Sequence, residues 1–144
     1  MLEAGSQKAK DAELVVRFTE WYCASHHRDR ARTALESPGV EAGIYGARVP
    51  LLCEECAGYA RYAERRTELC RQNPKPFCAV CPIKCYKPDM AAYSREVMRY
   101  AGPRSLFSRY CLRAVHHAFD TLRYHRNLRA KEPAGGAGKE KLRG

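Results

Sequence analysis

Six of the eight cysteines in this 144-residue chain follow one ordered pattern: Cys53-x2-Cys56, then Cys70, then Cys78-x2-Cys81-x3-Cys85. That pattern limits what the chain can fold into more than any other feature. Two CxxC pairs, each with a further cysteine nearby, are hard to explain as packing. Thiolates separated by two residues turn toward one ion from a loop or a first helical turn, so each pair supplies half of a tetrahedral ligand set.

The redox compartment decides how such cysteines are read. Met1 to Lys10 is polar and charged, with no apolar stretch of the kind a secretory signal needs, and no apolar run is long enough to cross a bilayer. The expected location is therefore the cytoplasm, with no membrane partner. Thiols stay reduced there, so eight cysteines point to metal, whereas a secreted chain with the same count would suggest disulfides.

Val and Ile are scarce while Ala, Arg, Leu and Tyr are plentiful, which favours helix over sheet. The expected fold is all-α: a small helical domain of about four helices organised around cysteine-rich metal sites, with a disordered C-terminal tail. Residues 1–10 read as a flexible N-terminus, 11–130 as one metal-binding domain, and 131–144 as a disordered basic tail rich in Gly and Lys.

Periodicity divides the domain further. A first helix is expected from Asp11, as N-cap, to His27, with Leu14, Phe18, Trp21 and Ser25 on its stripe. Cys23 lies off that stripe, on a face shared with His26 and His27. Residues 28–50 are broken by Ser37, Pro38, Gly39, Gly43, Gly46 and Pro50 and read as a long loop holding a short helix over Arg30 to Glu36. The clearest helix spans Leu52 to Cys70, with Leu52, Cys56, Tyr59 and Ala63 inward and Arg61, Glu64, Arg65 and Glu68 outward. Cys78 to Pro88 reads as an irregular segment. A third helix is expected from Asp89 to a stop at Gly102-Pro103, with Met90, Tyr93, Val97 and Met98 inward. A fourth starts near Ser105, its stripe made of Phe107, Tyr110, Ala114, Ala118, Leu122 and His125.

These helices restrict how the cysteines combine. A continuous helix rises about 1.5 Å per residue, which sets Cys56 and Cys70 roughly 21 Å apart. They cannot share one ion, so two centres are expected. At the far end, Cys70, Cys78, Cys81 and Cys85 offer four thiolates, suited to zinc or to a 4Fe-4S cluster. At the near end, Cys53 and Cys56 need two partners, and Cys23 with His26 or His27 supplies them, His27 being favoured by its i,i+4 spacing. A second pairing joins Cys53 and Cys56 to Cys78 and Cys81, because the seven residues after Cys70 can stretch about 23 Å back along the helix. Cys111 reads as an ordinary small apolar residue, and His116 and His117 have no thiol or carboxylate matched to them.

The segments Trp21-Tyr22-Cys23 with His26-His27, Leu52-Cys53-x2-Cys56, Cys78-x2-Cys81-Pro82-x2-Cys85-Tyr86-x-Pro88 and Val97-Met98-Arg99-Tyr100-Ala101-Gly102-Pro103-Arg104 occur in that order. Together they resemble the bacterial family described as nitrous oxide-stimulated promoter, over roughly Leu14 to His117. The resemblance implies expression linked to nitrogen oxides and leaves the biochemical activity open. Much of Arg28 to Pro50 departs from the short connection the resemblance implies after the paired histidines.

Three functions compete on these residues. The leading one is a metal-binding accessory protein of the nitrosative stress response, with metal that is structural or thiolate-reactive. The second is a nucleic-acid-binding zinc module or regulator. A net charge of +10 and the cluster Arg99, Arg104, Arg109 and Arg113 suggest it, but no reading helix or finger spacing favours it. The third is an iron-sulfur redox protein, although no nucleotide-binding glycine loop or acid/base pair accompanies the cysteines. Arg99 and Arg104, flanking Gly102-Pro103, are a candidate anion site, with pairing to Glu96 or Asp120 as the competing explanation. An unknown protein or small molecule remains the expected partner.

Overall fold

The computed structural model describes residues 1–71 and 85–131. In chain order they form α1 (Gln7–His26), β1 (Thr33–Ala34), α2 (Pro38–Glu41), β2 (Leu51–Leu52), α3 (Glu54–Leu69), α4 (Pro88–Ser105) and α5 (Cys111–Lys131). The expected helical fold is observed: four long helices, one helical turn, and an antiparallel ribbon as the only sheet among the described residues. The tail after Lys131, and with it most of the expected basic extension, lies outside the described residues.

Helix α1 is the central element, packing on α3, α4 and β2. Burial on more than one side explains why its apolar pattern is broad. Leu14 and Phe18 occupy one buried face and Val16, Thr19 and Cys23 another. The helix starts at Gln7, four residues ahead of the expected Asp11. Ser6 is the cap, its Oγ accepting from Ala9 N at 3.1 Å, while Asp11 lies inside the helix and accepts from Gln7 Nε2. The segment expected to be a flexible arm therefore carries Leu2 and Ala9 into the core.

Residues 28–50 are tied down at several points. Thr33 and Ala34, expected within a short helix, instead pair with Leu52 and Leu51. The helical turn forms later, at Pro38, where Ser37 caps it and proline needs no N–H. Arg17 of α1, fully buried, donates to Tyr45 O at 3.2 Å and to Arg48 O at 2.5 Å. Glu64 corrects the expectation of a solvated outer face on α3. It is 3% exposed and accepts from Ser37 Oγ at 2.8 Å, from Gly39 N at 3.1 Å and from the Tyr45 hydroxyl. A carboxylate is tolerated there because three donors replace its water. Gly39 is required at this approach, since a Cβ would lie 2.6 Å from Glu64 Oε1 and 2.9 Å from Ile44 Cδ1.

Helix α4 runs through the expected stop at Gly102-Pro103 and ends at Ser105. Gly102 has no Cβ to clash with the proline ring, and a proline in the last turn removes only one helical hydrogen bond. Ser105 Oγ then donates to Gly102 O at 2.5 Å and Ser108 Oγ to Ser105 O at 2.8 Å, closing the end with side chains. This delays α5 to Cys111. The stripe expected on α5 is also corrected, because Phe107 is 93% and Leu122 64% exposed. Of that stripe Tyr110, just ahead of α5, is buried as expected; Thr121 and Tyr124 are buried on the helix itself among the described side chains, and Arg113 pairs with Glu13 of α1.

Candidate metal centre

The end of α1 and the first turn of α3 lie against each other. Cys23 lies in the last turn of α1 and His27 is the C-cap residue one turn on, its N–H donating to Cys23 O at 2.9 Å, which brings the two side chains to the same side. Cys53 is the N-cap residue of α3 and Cys56 is its third helical position. A CxxC pair that straddles a helix start points both sulfurs past the first turn. Pairing of β1 with β2 fixes the approach, because β2 ends one residue before Cys53.

The outcome is a four-member group: Cys23, His27, Cys53 and Cys56 offer ligand atoms that all lie within 4.8 Å of one another. His27 Nδ1 is 3.5 Å from Cys53 Sγ and 3.3 Å from Cys56 Sγ. Ligands on a tetrahedral zinc at about 2.0–2.3 Å stand roughly 3.5–3.8 Å from each other, so the spacing suits a small contraction onto one ion. Cys23, Cys53 and Cys56 are buried and His27 is half-buried, leaving the group closed by protein on most sides. His26, the other histidine of the pair, faces elsewhere and stacks on Tyr22 at 4.2 Å.

Each sulfur also has a donor of its own. The Cys53 amide donates to Cys23 Sγ at 3.3 Å, the Tyr93 hydroxyl lies 2.9 Å from Cys56 Sγ, and an Arg30 N–H is directed at Cys53 Sγ from 3.9 Å. Glu55 pairs with Arg30 and holds it there. Such donors stabilise thiolates and orient first ligands. Tyr93 comes from α4, where periodicity placed it inward without a role. Arg30 comes from the connection after α1, and nothing in the sequence marks it.

The protonation of the group follows from burial and these neighbours. Burial pushes the Cys56 and Cys23 thiols up. Burial acts the same way on Cys53, but the Cys56 amide, the neighbouring thiols and Arg30 together pull it down. Burial, followed by the charge of Arg30, lowers His27 and keeps its imidazole neutral, the form that ligates metal. One easily ionised thiol beside a neutral imidazole is a favourable starting point for metal capture.

The other candidate ligands fall at the far end of α3. Cys70 is its C-cap residue, so the unbroken helix separates it from Cys56 by roughly 21 Å. Cys85 is exposed just before α4. Cys78 and Cys81 lie outside the described residues, and with them the rest of the expected second centre and the alternative pairing with Cys53 and Cys56. Cys23, Cys53, Cys56, Cys70 and Cys111 are free thiols. Arg99 and Arg104 line a cleft between α1 and α4. Neither Glu96 nor Asp120 forms an ion pair with them among the described residues; Asp120 instead meets His116 and Arg123.

A model of the family described as nitrous oxide-stimulated promoter matches residues 6–130, a span that includes all eight cysteines. The chain is similar to the uncharacterized protein YgbA of Escherichia coli (strain K12), 34% identical over 84 residues, covering 56% of this chain and 71% of that protein. No solved structure matches.

Proposed function

The chain belongs to the nitrous oxide-stimulated promoter family, and from that premise we propose that it is a cytoplasmic zinc-binding accessory protein of the response to nitrogen oxides. The supporting observation is the closed set of three sulfurs and one imidazole nitrogen within 4.8 Å, each sulfur with its own donor. Four soft or borderline ligands with no open position suit zinc and a structural role, in which bound metal pins α1 to α3. When bound, zinc would supply a fixed tetrahedral centre that keeps the sulfurs as thiolates.

The thiolates themselves give the site its reactivity. A nitrosothiol donor transfers its nitroso group to a cysteine sulfur and leaves as the free thiolate, and a nitrosated sulfur no longer holds metal well. Cys53 is the sulfur best placed for this, because its donor Arg30 is longest and comes from an exposed side chain. Exposure to nitrogen-oxide chemistry would then release metal and loosen the contact of α1 with α3.

Purified, anaerobic full-length protein tests both parts. One zinc per chain accompanies this centre, and two are expected if Cys70, Cys78, Cys81 and Cys85 form the second; a brown protein with broad absorbance near about 400 nm would assign a 4Fe-4S cluster to that far set. Addition of a nitrosothiol should release zinc in step with loss of free thiol. Protein that is folded yet metal-free as isolated would overturn the metal reading, and unchanged metal content under nitrosothiol would remove the reactive role.

A further inference from the structure

The stripe of α1 next to the metal ligands carries a different pair at the same spacing, Tyr22 and His26, and these face a cleft of about 420 Å³. Its remaining walls come from Glu96, Arg99, Tyr100 and Arg104 of α4. The aromatic rings are arranged as walls: His26 stacks on Tyr22 at 4.2 Å and meets Tyr100 edge-on at 4.8 Å. Glu96 is held at one side by the Tyr22 hydroxyl, which donates to it at 3.0 Å.

The two arginines differ from the rest of their cluster. Arg113 is paired with Glu13, and Arg109 donates to the Tyr110 hydroxyl at 2.8 Å, so these two are committed to the fold. Arg104 is pre-set: its guanidinium lies 3.8 Å over the Tyr100 ring and donates to Tyr100 O at 2.7 Å. Its other N–H groups are left for a ligand at little further entropic cost. Arg99 has no ion pair or hydrogen bond to a carboxylate among the described residues. A long basic track of the kind a nucleic-acid backbone needs is interrupted by the two committed arginines, which favours a compact anion.

We propose that this cleft binds a small phosphate-class oxyanion between Arg99 and Arg104, either free or as the terminal group of a small molecule whose flat portion packs on His26 and Tyr100. Planar guanidinium forks match such an oxyanion in pairs of hydrogen bonds, and the aromatic walls offer a flat group a surface to pack on. The proposal does not depend on the metal reading, although Tyr22 and His26 each adjoin a metal-ligand candidate in sequence.

The test uses the full chain as purified, at low ionic strength, with inorganic phosphate and adenosine monophosphate as separate probes followed by NMR. Expected are shifts confined to His26, Tyr100 and the side chains of Arg99 and Arg104. Arg99→Ala, at an exposed position with no partner to lose, should weaken binding about tenfold, and Arg109→Ala should leave it unchanged. Arg104→Lys, which keeps the charge and loses the fork, should fall between them. Tighter binding of the nucleotide than of phosphate assigns the flat wall a role; equal binding identifies the free anion. No saturable shift at millimolar probe, or equal weakening by Arg99→Ala and Arg109→Ala, would overturn the proposal.

Discussion

Helices α1 and α5 carry nearly the same chemistry in their sequences and put it to different use. In α1 a cysteine is followed by a histidine pair, Cys23 then His26-His27; in α5 Cys111 is followed by His116-His117. Cys23 is fully buried and joins His27 and two further sulfurs. Cys111 is half-buried and free, and the His116 ring, largely exposed, lies 3.4 Å from Asp120 on its own helix. One helix face supplies at most two ligands to an ion, so the motif becomes a centre only where a second element brings the other two. In α1 that element is the start of α3, fixed by the ribbon and by the buried anchors of residues 28–50. Among the described residues α5 has no counterpart.

The largest effect expected from this contrast separates the two cysteines directly. If the centre holds metal as proposed, Cys56→Ser should abolish metal binding and destabilise the protein by more than about 3 kcal/mol, because a ligand and the junction of α1 with α3 are lost together. Cys111→Ser should retain the metal and cost less than about 1 kcal/mol. Metal content and thermal melting of the two variants check this. Equal losses would erase the distinction between the helices.

A somewhat smaller effect concerns what holds the connection over α3. Glu64→Ala leaves the Ser37 hydroxyl, the Gly39 amide and the Tyr45 hydroxyl without their acceptor in a buried place. The expected cost is about 2–4 kcal/mol in urea unfolding. Metal content should persist, since the four candidate ligands lie at the end of α1 and at the start of α3. Loss of metal to the degree seen for Cys56→Ser would make the anchor part of the centre itself.

Tyr93→Phe sharpens the comparison at the level of single donors. It removes the hydroxyl 2.9 Å from Cys56 Sγ while keeping the ring that packs on Tyr59. Zinc affinity, measured by competition with a chelator, should fall about tenfold with the fold retained. His116→Ala on α5 is the matched control and should change neither affinity nor stability by more than about 0.5 kcal/mol.

Local signals were readable where local geometry decides the outcome. The i,i+4 relation of Cys23 and His27, the CxxC at a helix start, and the separation of Cys56 from Cys70 by an unbroken helix all follow from spacing and rise. Long-range contacts decided the rest. Glu64 looks solvent-facing by its letter, yet residues 28–50 fold over it and supply its donors. Thr33 and Ala34 become a strand only because Leu51 and Leu52 pass alongside. Arg30 has no periodic context, so nothing before the fold forms reveals that it is directed at Cys53. Periodicity alone places Phe107 and Leu122 in the core, but the packing of α5 leaves both exposed.

The smallest effect is a titration, and it reports on the wall between the centre and the α4 cleft. Burial, then the hydrogen bond to Glu96 and the charge of that carboxylate, push the Tyr22 hydroxyl up to about 12. The folded state therefore keeps a proton that the unfolded chain gives up near pH 10. Its contribution to stability is fully present below about pH 10 and is lost as pH rises toward 12, because the unfolded state binds fewer protons across that window. Tyr22→Phe should flatten this part of the stability profile, and ultraviolet titration of the folded wild type should show one more late-ionising tyrosine than the variant. If Tyr22 instead ionised with the exposed tyrosines, the face of α1 beside Cys23 would be open to water, and its contrast with the exposed face of α5 would lose its physical basis.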